Sequence, residues 1–183
     1  MYAFKVVLMG DGAVGKSSLR RKFMGETFKK TYIMTIGADF AVKRMTVGDV
    51  DVKFIIWDLA GQPHFRAVRA EFYRGAKGGL LLYDISRRDT FENVPAWMEE
   101  FIKHTGGGAV AVVLVGNKVD LREKGLNEVP REDGLEMARE LQDRHGIPVG
   151  FVETSALTGE NVDKAFFTLA EEILKKVKAQ LPT

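Results

Sequence analysis

Residues 10–17 read Gly-Asp-Gly-Ala-Val-Gly-Lys-Ser, the spacing G-x-x-x-x-G-K-[ST], and no other stretch constrains the fold so tightly. An apolar run over about residues 3–9 precedes it, and helix-compatible residues follow over about 15–24. A strand, a tight glycine turn and a helix start are what a phosphate cradle requires. Gly10, Gly12 and Gly15 let the backbone between them, Ala13 and Val14 included, turn its N–H groups inward around an anion. The helix N-terminus, with Ser18 in its first turn, adds partial positive charge. Lys16 brings a formal charge to the outer phosphates, and the Ser17 hydroxyl is a ligand for Mg²⁺. The motif names neither the base nor the reaction, because ATPases, nucleotide kinases and GTPases all use one.

The rest of the chain supplies the sheet that this motif needs. Short apolar runs alternate with longer amphipathic segments, which predicts an α/β fold with a mostly parallel sheet. Residues 40–47 and 50–57 are strands split by Gly48-Asp49, a hairpin signal, so this pair is expected to be antiparallel. Residues 79–83 and 110–115 are nearly all apolar, as central strands are. Asp89 and Glu92 have capping-box spacing. Pro95 is tolerated only near a helix start, which places a helix over 95–104. Pro130 opens a helix that stops at Gly146, and 149–152 is a short last strand. The final helix, about 161–178, carries Val162, Phe166, Leu169, Ile173 and Val177 on one stripe. The expected whole is a six-stranded, mostly parallel sheet with one antiparallel hairpin strand and about five helices on both faces. It is read as one domain over residues 1–183.

Composition removes several functions. The 183 residues contain no cysteine, which excludes disulfides, thiol catalysis, Cys-ligated zinc and prenyl or palmitoyl attachment in this sequence. Lys and Arg total 27 against 25 Asp and Glu, a balance too even for a nucleic-acid surface. Tyr2 excludes N-myristoylation, and neither a signal peptide nor a membrane-spanning run is read. The basic Lys175-Lys176-Val177-Lys178 reads as a solvated helix end. The expectation is a cytoplasmic monomer whose membrane contact, if any, is peripheral.

The base is read from the segment after the 110–116 strand, Asn117-Lys118-Val119-Asp120. An Asp at the carboxyl edge of a parallel sheet stands where ligands bind in such folds. Its two oxygens can accept both N1–H and the 2-amino group of guanine, and adenine offers neither. Unmatched demands of that kind discriminate by about 10⁴–10⁵-fold. Glu153-Thr154-Ser155-Ala156-Leu157 follows the last strand, and the Ala156 N–H can donate to guanine O6.

With the phosphate loop, Thr35, Asp58-Leu59-Ala60-Gly61-Gln62, Asn117 to Asp120 and Ser155-Ala156 in this order and spacing, the chain resembles the Ras-like small GTPases over essentially its whole length. It is most similar to the Rab branch, on Thr35-Ile36-Gly37-Ala38-Asp39-Phe40, Ile56-Trp57-Asp58, Phe72-Tyr73-Arg74-Gly75-Ala76 and Tyr83-Asp84-Ile85-Ser86. The resemblance implies a P-loop NTPase G domain: a switch that binds GTP and hydrolyses it to GDP with Mg²⁺. Ser17 and Thr35 would ligate the metal, and Asp58 would hold it through water. Gly61 would reach the γ-phosphate, and Gln62 would orient the attacking water, with Lys16 and Thr35 completing the catalytic set. Phe28, Tyr32, Lys118, Ser155 and Leu157 would line the nucleotide. An exchange factor, a GTPase-activating protein and effectors are the partners implied.

Some positions depart from that pattern. Pro63 follows Gln62 where the family usually has an acidic residue, and proline drives the preceding residue away from helical φ/ψ. A GTP-binding scaffold with hydrolysis impaired by Pro63 is therefore the alternative reading, and a P-loop ATPase or nucleotide kinase is a more distant one. Leu157 stands where Lys is common. The prenylated cysteine tail of Rab proteins is not in this sequence. Ile33, not Arg, lies two residues before Thr35, so intrinsic hydrolysis is expected below ~1 s⁻¹ without a partner's Arg. His64 reads as solvated or partner-facing, and His104 and His145 as helix-end residues. Phe40, Trp57 and Tyr73 are expected to form an apolar partner patch.

Overall fold

The computed structural model describes residues 1–26, 37–108 and 111–180. The chain order is β1 (Tyr2–Met9), α1 (Lys16–Phe23), β2 (Ala38–Val47), β3 (Val50–Leu59), α2 (Arg66–Tyr73), β4 (Gly78–Asp84), α3 (Arg88–Glu92), α4 (Val94–His104), β5 (Ala111–Asn117), α5 (Arg131–His145), β6 (Val149–Thr154) and α6 (Val162–Ala179). Short 3-10 turns lie at Pro63–Phe65 and Val119–Lys124. One sheet runs in the order β2-β3-β1-β4-β5-β6. β2 and β3 are antiparallel, with Val47 opposite Val50 across Gly48-Asp49. The other pairings are parallel. This is the sheet that the sequence predicts.

The core lies on both faces of that sheet. In β1, Val6 and Leu8 pack with Phe23 of α1 and Phe166 of α6, whose rings stack at 3.9 Å. Val7 and Met9 pack on the other side with Tyr73, Trp97 and Phe101. Phe166 is fully buried, which contributes roughly 1.5–3 kcal/mol. Truncating it to Ala would cost about 3–5 kcal/mol. The α6 stripe docks as its spacing requires: Val162, Phe166, Leu169 and Ile173 are all buried.

The helices differ in detail from the sequence reading. Asp89 and Glu92 do not form a capping box at the start of the long helix. They lie inside the short α3, whose N-cap Arg87 makes no side-chain cap bond. Thr90 does the local work instead: its hydroxyl accepts the Asp84 N–H at 3.0 Å and donates to the Arg87 carbonyl at 2.7 Å. The helix breaks at Asn93 because Pro95, in the first turn of α4, has no N–H to continue the ladder. This break, together with α2 at 66–73, gives six α-helices among the described residues.

The parallel register brings chemistry to one edge. Leu8 pairs with Asp58, Asp84 with Asn117, and Asn117 with Thr154. The carboxyl ends of β1, β3, β4, β5 and β6 therefore share one rim, and the 10–15 loop lies on it. The strand order reverses at β1, with β3 on one side and β4 on the other, and such a switch point is where ligands bind in open α/β sheets.

Candidate functional site

The phosphate loop leaves β1 and enters α1 through Gly15, which takes φ 103° as the N-cap. A Cβ there would stand 2.3 Å from the Asn117 amide nitrogen, so only glycine fits. Lys16 is the first residue of α1 and is buried. Its Nζ donates to the carbonyls of Gly10 at 2.8 Å and Asp11 at 2.7 Å. Burial pulls its pKa down to about 8, and the Asp58 and Asp11 carboxylates hold it from falling further.

The base-reading segment is stitched to this loop. The Asn117 amide donates to the Val14 carbonyl at 2.9 Å and accepts the Thr154 hydroxyl at 2.9 Å. Its side chain is thus a buried cross-link between the loops. Lys118, in the left-handed region at φ 71°, donates to the Ala13 carbonyl at 2.7 Å and pairs with Asp84 at 3.0 Å. Asp120 accepts the Ser155 hydroxyl at 2.7 Å, which aims one carboxylate and orders the 155–157 turn together. Ser155 and Ala156 are buried, so they can offer a ligand mainly their backbone. Leu157 is exposed at the rim.

The metal-type oxygens lie at the end of β3. The Ser17 hydroxyl donates to Asp58. Asp58 is fully buried, and its other oxygen has no hydrogen-bond partner among the described residues. Burial raises its pKa against the pull of Ser17, Lys16 and Arg20. Arg20 stands 3.7 Å from Asp58 and pairs with Asp39 at 2.9 Å.

Gly61 packs against the phosphate loop, and Gln62 follows with φ −71° and ψ 142°. That extended backbone is what Pro63 imposes on its predecessor. Ser18 is half-buried in the first turn of α1. Phe28, Tyr32 and Thr35 lie outside the described residues.

One expectation is corrected. Tyr73 is not part of the apolar patch: it is fully buried, and its hydroxyl donates to Glu100 at 2.5 Å. Helical geometry places its neighbour Phe72 on the outer side instead, where it meets Trp57 at 4.9 Å. Trp57 in turn meets Phe40 at 5.2 Å, and Phe40 is 55% exposed. His64 is exposed beside Phe65.

Sequence reasoning missed Arg20, Arg69 and Glu100, all buried charges. Arg69 and Glu100 stand 31 positions apart on separate helices, so no local pattern could pair them. A charged residue on the apolar side of an amphipathic helix was the one available signal.

Comparison with known proteins agrees with this geometry. A sequence model of the Ras family matches residues 5–175. The Ras-related protein RABA4b of Arabidopsis thaliana is 42% identical over 176 residues, covering 96% of this chain and 75% of that protein. With the phosphate loop, Asp58, Gln62 and Asp120 gathered on one rim, the chain belongs to the Ras family of GTP-binding, GTP-hydrolysing switches and is Rab-like within it.

Proposed function

We propose that this Rab-like switch reads guanine through Asp120, grips the phosphates through the 10–17 loop and hydrolyses the γ-phosphate with Gln62, in one G domain spanning residues 1–183. The observation that carries the reading is the stitching of the two loops. Asn117 and Lys118 bind the carbonyls of Val14 and Ala13 at 2.9 and 2.7 Å, so base and phosphate sites form one rigid unit. Pre-organisation of that kind lowers the ordering entropy of binding.

The donor set suits Mg²⁺. A hydroxyl and a buried carboxylate with an unpartnered oxygen are hard ligands. Among the described residues no group of three His, Cys, Asp or Glu could hold a metal alone, so the remaining ligands would be water and phosphate oxygens. Ser17 would ligate directly and Asp58 through water; the family resemblance adds Thr35. Bound there, Mg²⁺ supplies positive charge to the phosphate oxygens.

The chain's own groups do the rest. Lys16 offsets charge on the β- and γ-phosphates. The N–H groups of 12–17 cradle them, and the Gly61 N–H meets the γ-phosphate. Gln62 orients the attacking water, as in the phosphoryl-transfer pattern known from Ras. Asp120 accepts N1–H and the 2-amino group, the Ala156 N–H donates to O6, and the Lys118 stem covers the base with Phe28 and Leu157 at its rim. Loss of the γ-phosphate contacts would release Thr35 and Gly61, the order–disorder change of such switches.

An exchange factor, an activating protein that supplies an Arg, and effectors on the Phe40–Trp57–Phe72 face complete the cycle. We place the protein in the cytoplasm as a monomer acting in vesicle traffic. Among the described residues no helix is long and apolar enough to cross a membrane, and membrane contact would come through partners.

Two measurements test the reading. Nucleotide released from the purified protein should be GDP or GTP, and recovery of adenine nucleotide would overturn it. Gln62→Leu should lower the single-turnover rate by at least about tenfold, and an unchanged rate would favour the scaffold with impaired hydrolysis.

A further inference from the structure

We propose that Arg69 is a positioning residue for GTP hydrolysis, holding the backbone of Gln62 in place from inside α2. The inference rests on the assignment of Gln62 as the residue that orients water.

Arg69 is 4% exposed, and its planar fork makes four hydrogen bonds. Nε and Nη2 donate to the two oxygens of Glu100 at 3.1 and 2.9 Å. Nη1 donates to the carbonyls of Ala60 at 3.0 Å and Gln62 at 2.9 Å. The guanidinium lies over the Trp97 ring at 4.3 Å. One side chain therefore clasps the backbone on both sides of Gly61 while its other edge is fixed to α4.

The anchor on α4 is itself braced. Tyr73 donates to Glu100 at 2.5 Å. Trp97 and Asn93 donate to the two carboxylate oxygens of Asp11 at 2.7 Å each. Asp11 belongs to the phosphate loop, so the loop, α4 and the 60–62 backbone form one continuous network.

The physical consequence concerns geometry rather than charge. Pro63 holds Gln62 extended but leaves its distance from the phosphate loop undetermined. The bidentate Arg–carboxylate pair sets that distance, because a fork fixes orientation as well as separation. Lysine would keep the charge but could not donate to Glu100 twice and to two carbonyls together. A misplacement of about 1 Å in a catalytic group can cost about 100-fold in rate.

The test is single-turnover GTP hydrolysis by the full chain carrying Arg69→Lys or Glu100→Gln, each also combined with Gln62→Leu. GDP release and thermal unfolding are followed in parallel, and Glu100→Gln is near-isosteric should the Arg69 variant unfold. Each single variant should hydrolyse GTP at least about tenfold more slowly, with GDP release within about threefold of the parent. In the Gln62→Leu background neither should slow hydrolysis further. Hydrolysis by both single variants within twofold of the parent overturns the proposal, as does an equal loss in the Gln62→Leu background, which marks a purely structural role. If Gln62→Leu alone leaves the rate unchanged, the assignment of Gln62 fails and this proposal with it. If Gln62→Leu lowers the rate and the clasp variants do not, only this proposal falls.

Discussion

Gly61 lies so close to Gly12 that a Cβ on Gly61 would stand 2.6 Å from the Gly12 nitrogen, and 2.5 Å from the Gly10 carbonyl oxygen. Both neighbours are backbone, so neither can swing away. Gly61→Ala should push the 60–62 segment off the phosphate loop. Overpacking of this kind costs about 1–3 kcal/mol, which thermal unfolding would show as a drop of several degrees. Single-turnover hydrolysis should fall at least about tenfold. A rate within twofold of the parent would mean that the close approach has no bearing on the reaction.

Lys16 makes the pH dependence of the nucleotide-free protein calculable in sign. Its folded-state pKa is lowered to about 8 from 10.5, so below pH 8 both states carry the proton and the burial penalty is present in full. As pH rises above 8 the folded state releases its proton first, and stability rises. Burial raises the pKa of Tyr73 and Tyr83, so above about pH 10 their unfolded-state ionisation opposes the trend. The clean window is therefore pH 8 to 9.5. Lys16→Met should be the more stable protein at pH 7.5, and its advantage should shrink by about 2 kcal/mol at pH 9.5. Urea unfolding of both at the two pH values measures this, and a constant difference would contradict it.

Asp120 should decide the base. Asp120→Asn presents one acceptor and one donor in place of two acceptors, and Ser155 still steadies the group through the oxygen that remains. GTP affinity should fall by at least about 100-fold. Xanthosine triphosphate, which carries a 2-oxo group where guanine has an amine, should gain affinity. Competition against a fluorescent guanine nucleotide reads both, and unchanged preference for GTP would remove Asp120 from base recognition.

Phe40 contributes to an outer face, not to the core. It is 55% exposed and Val42 is 45% exposed, which is unusual for a large apolar pair on one strand. Phe40→Ala should leave the unfolding temperature and GTP hydrolysis nearly unchanged. Binding of a partner that the parent retains only when loaded with GTP should weaken at least about tenfold. A several-degree loss of stability instead would make Phe40 a packing residue.

Much of the site could be read locally because its chemistry is local. The phosphate loop needs glycines, a lysine and a hydroxyl within eight positions, and backbone N–H groups need no distant partner. The runs within β4 and β5 are nearly all apolar because helices cover both faces, and a two-residue turn at Gly48-Asp49 permits little but a hairpin. Other features were ambiguous in one dimension. Asp89 and Glu92 have cap spacing, yet the Thr90 hydroxyl outcompetes them once Asp84 is beside it. Tyr73 and Phe72 are adjacent aromatics, and nothing in their order shows which one turns inward.

The sequence by itself determined the class of ligand, the parallel sheet with its one hairpin, and the family to which the chain belongs. These rest on short-range periodicity and on motifs whose residues act within one turn or loop. Only the tertiary structure decided that Asn117 is a cross-link between two loops, that Arg20 sits beside Asp58, and that Arg69 and Glu100 clasp the backbone around Gln62. The Arg69–Glu100 pair spans 31 positions and the Asn117–Val14 bond 103. A side chain's partner at such separation is set by how helices and strands pack, because a buried charge must find its counter-charge wherever the fold brings one within reach.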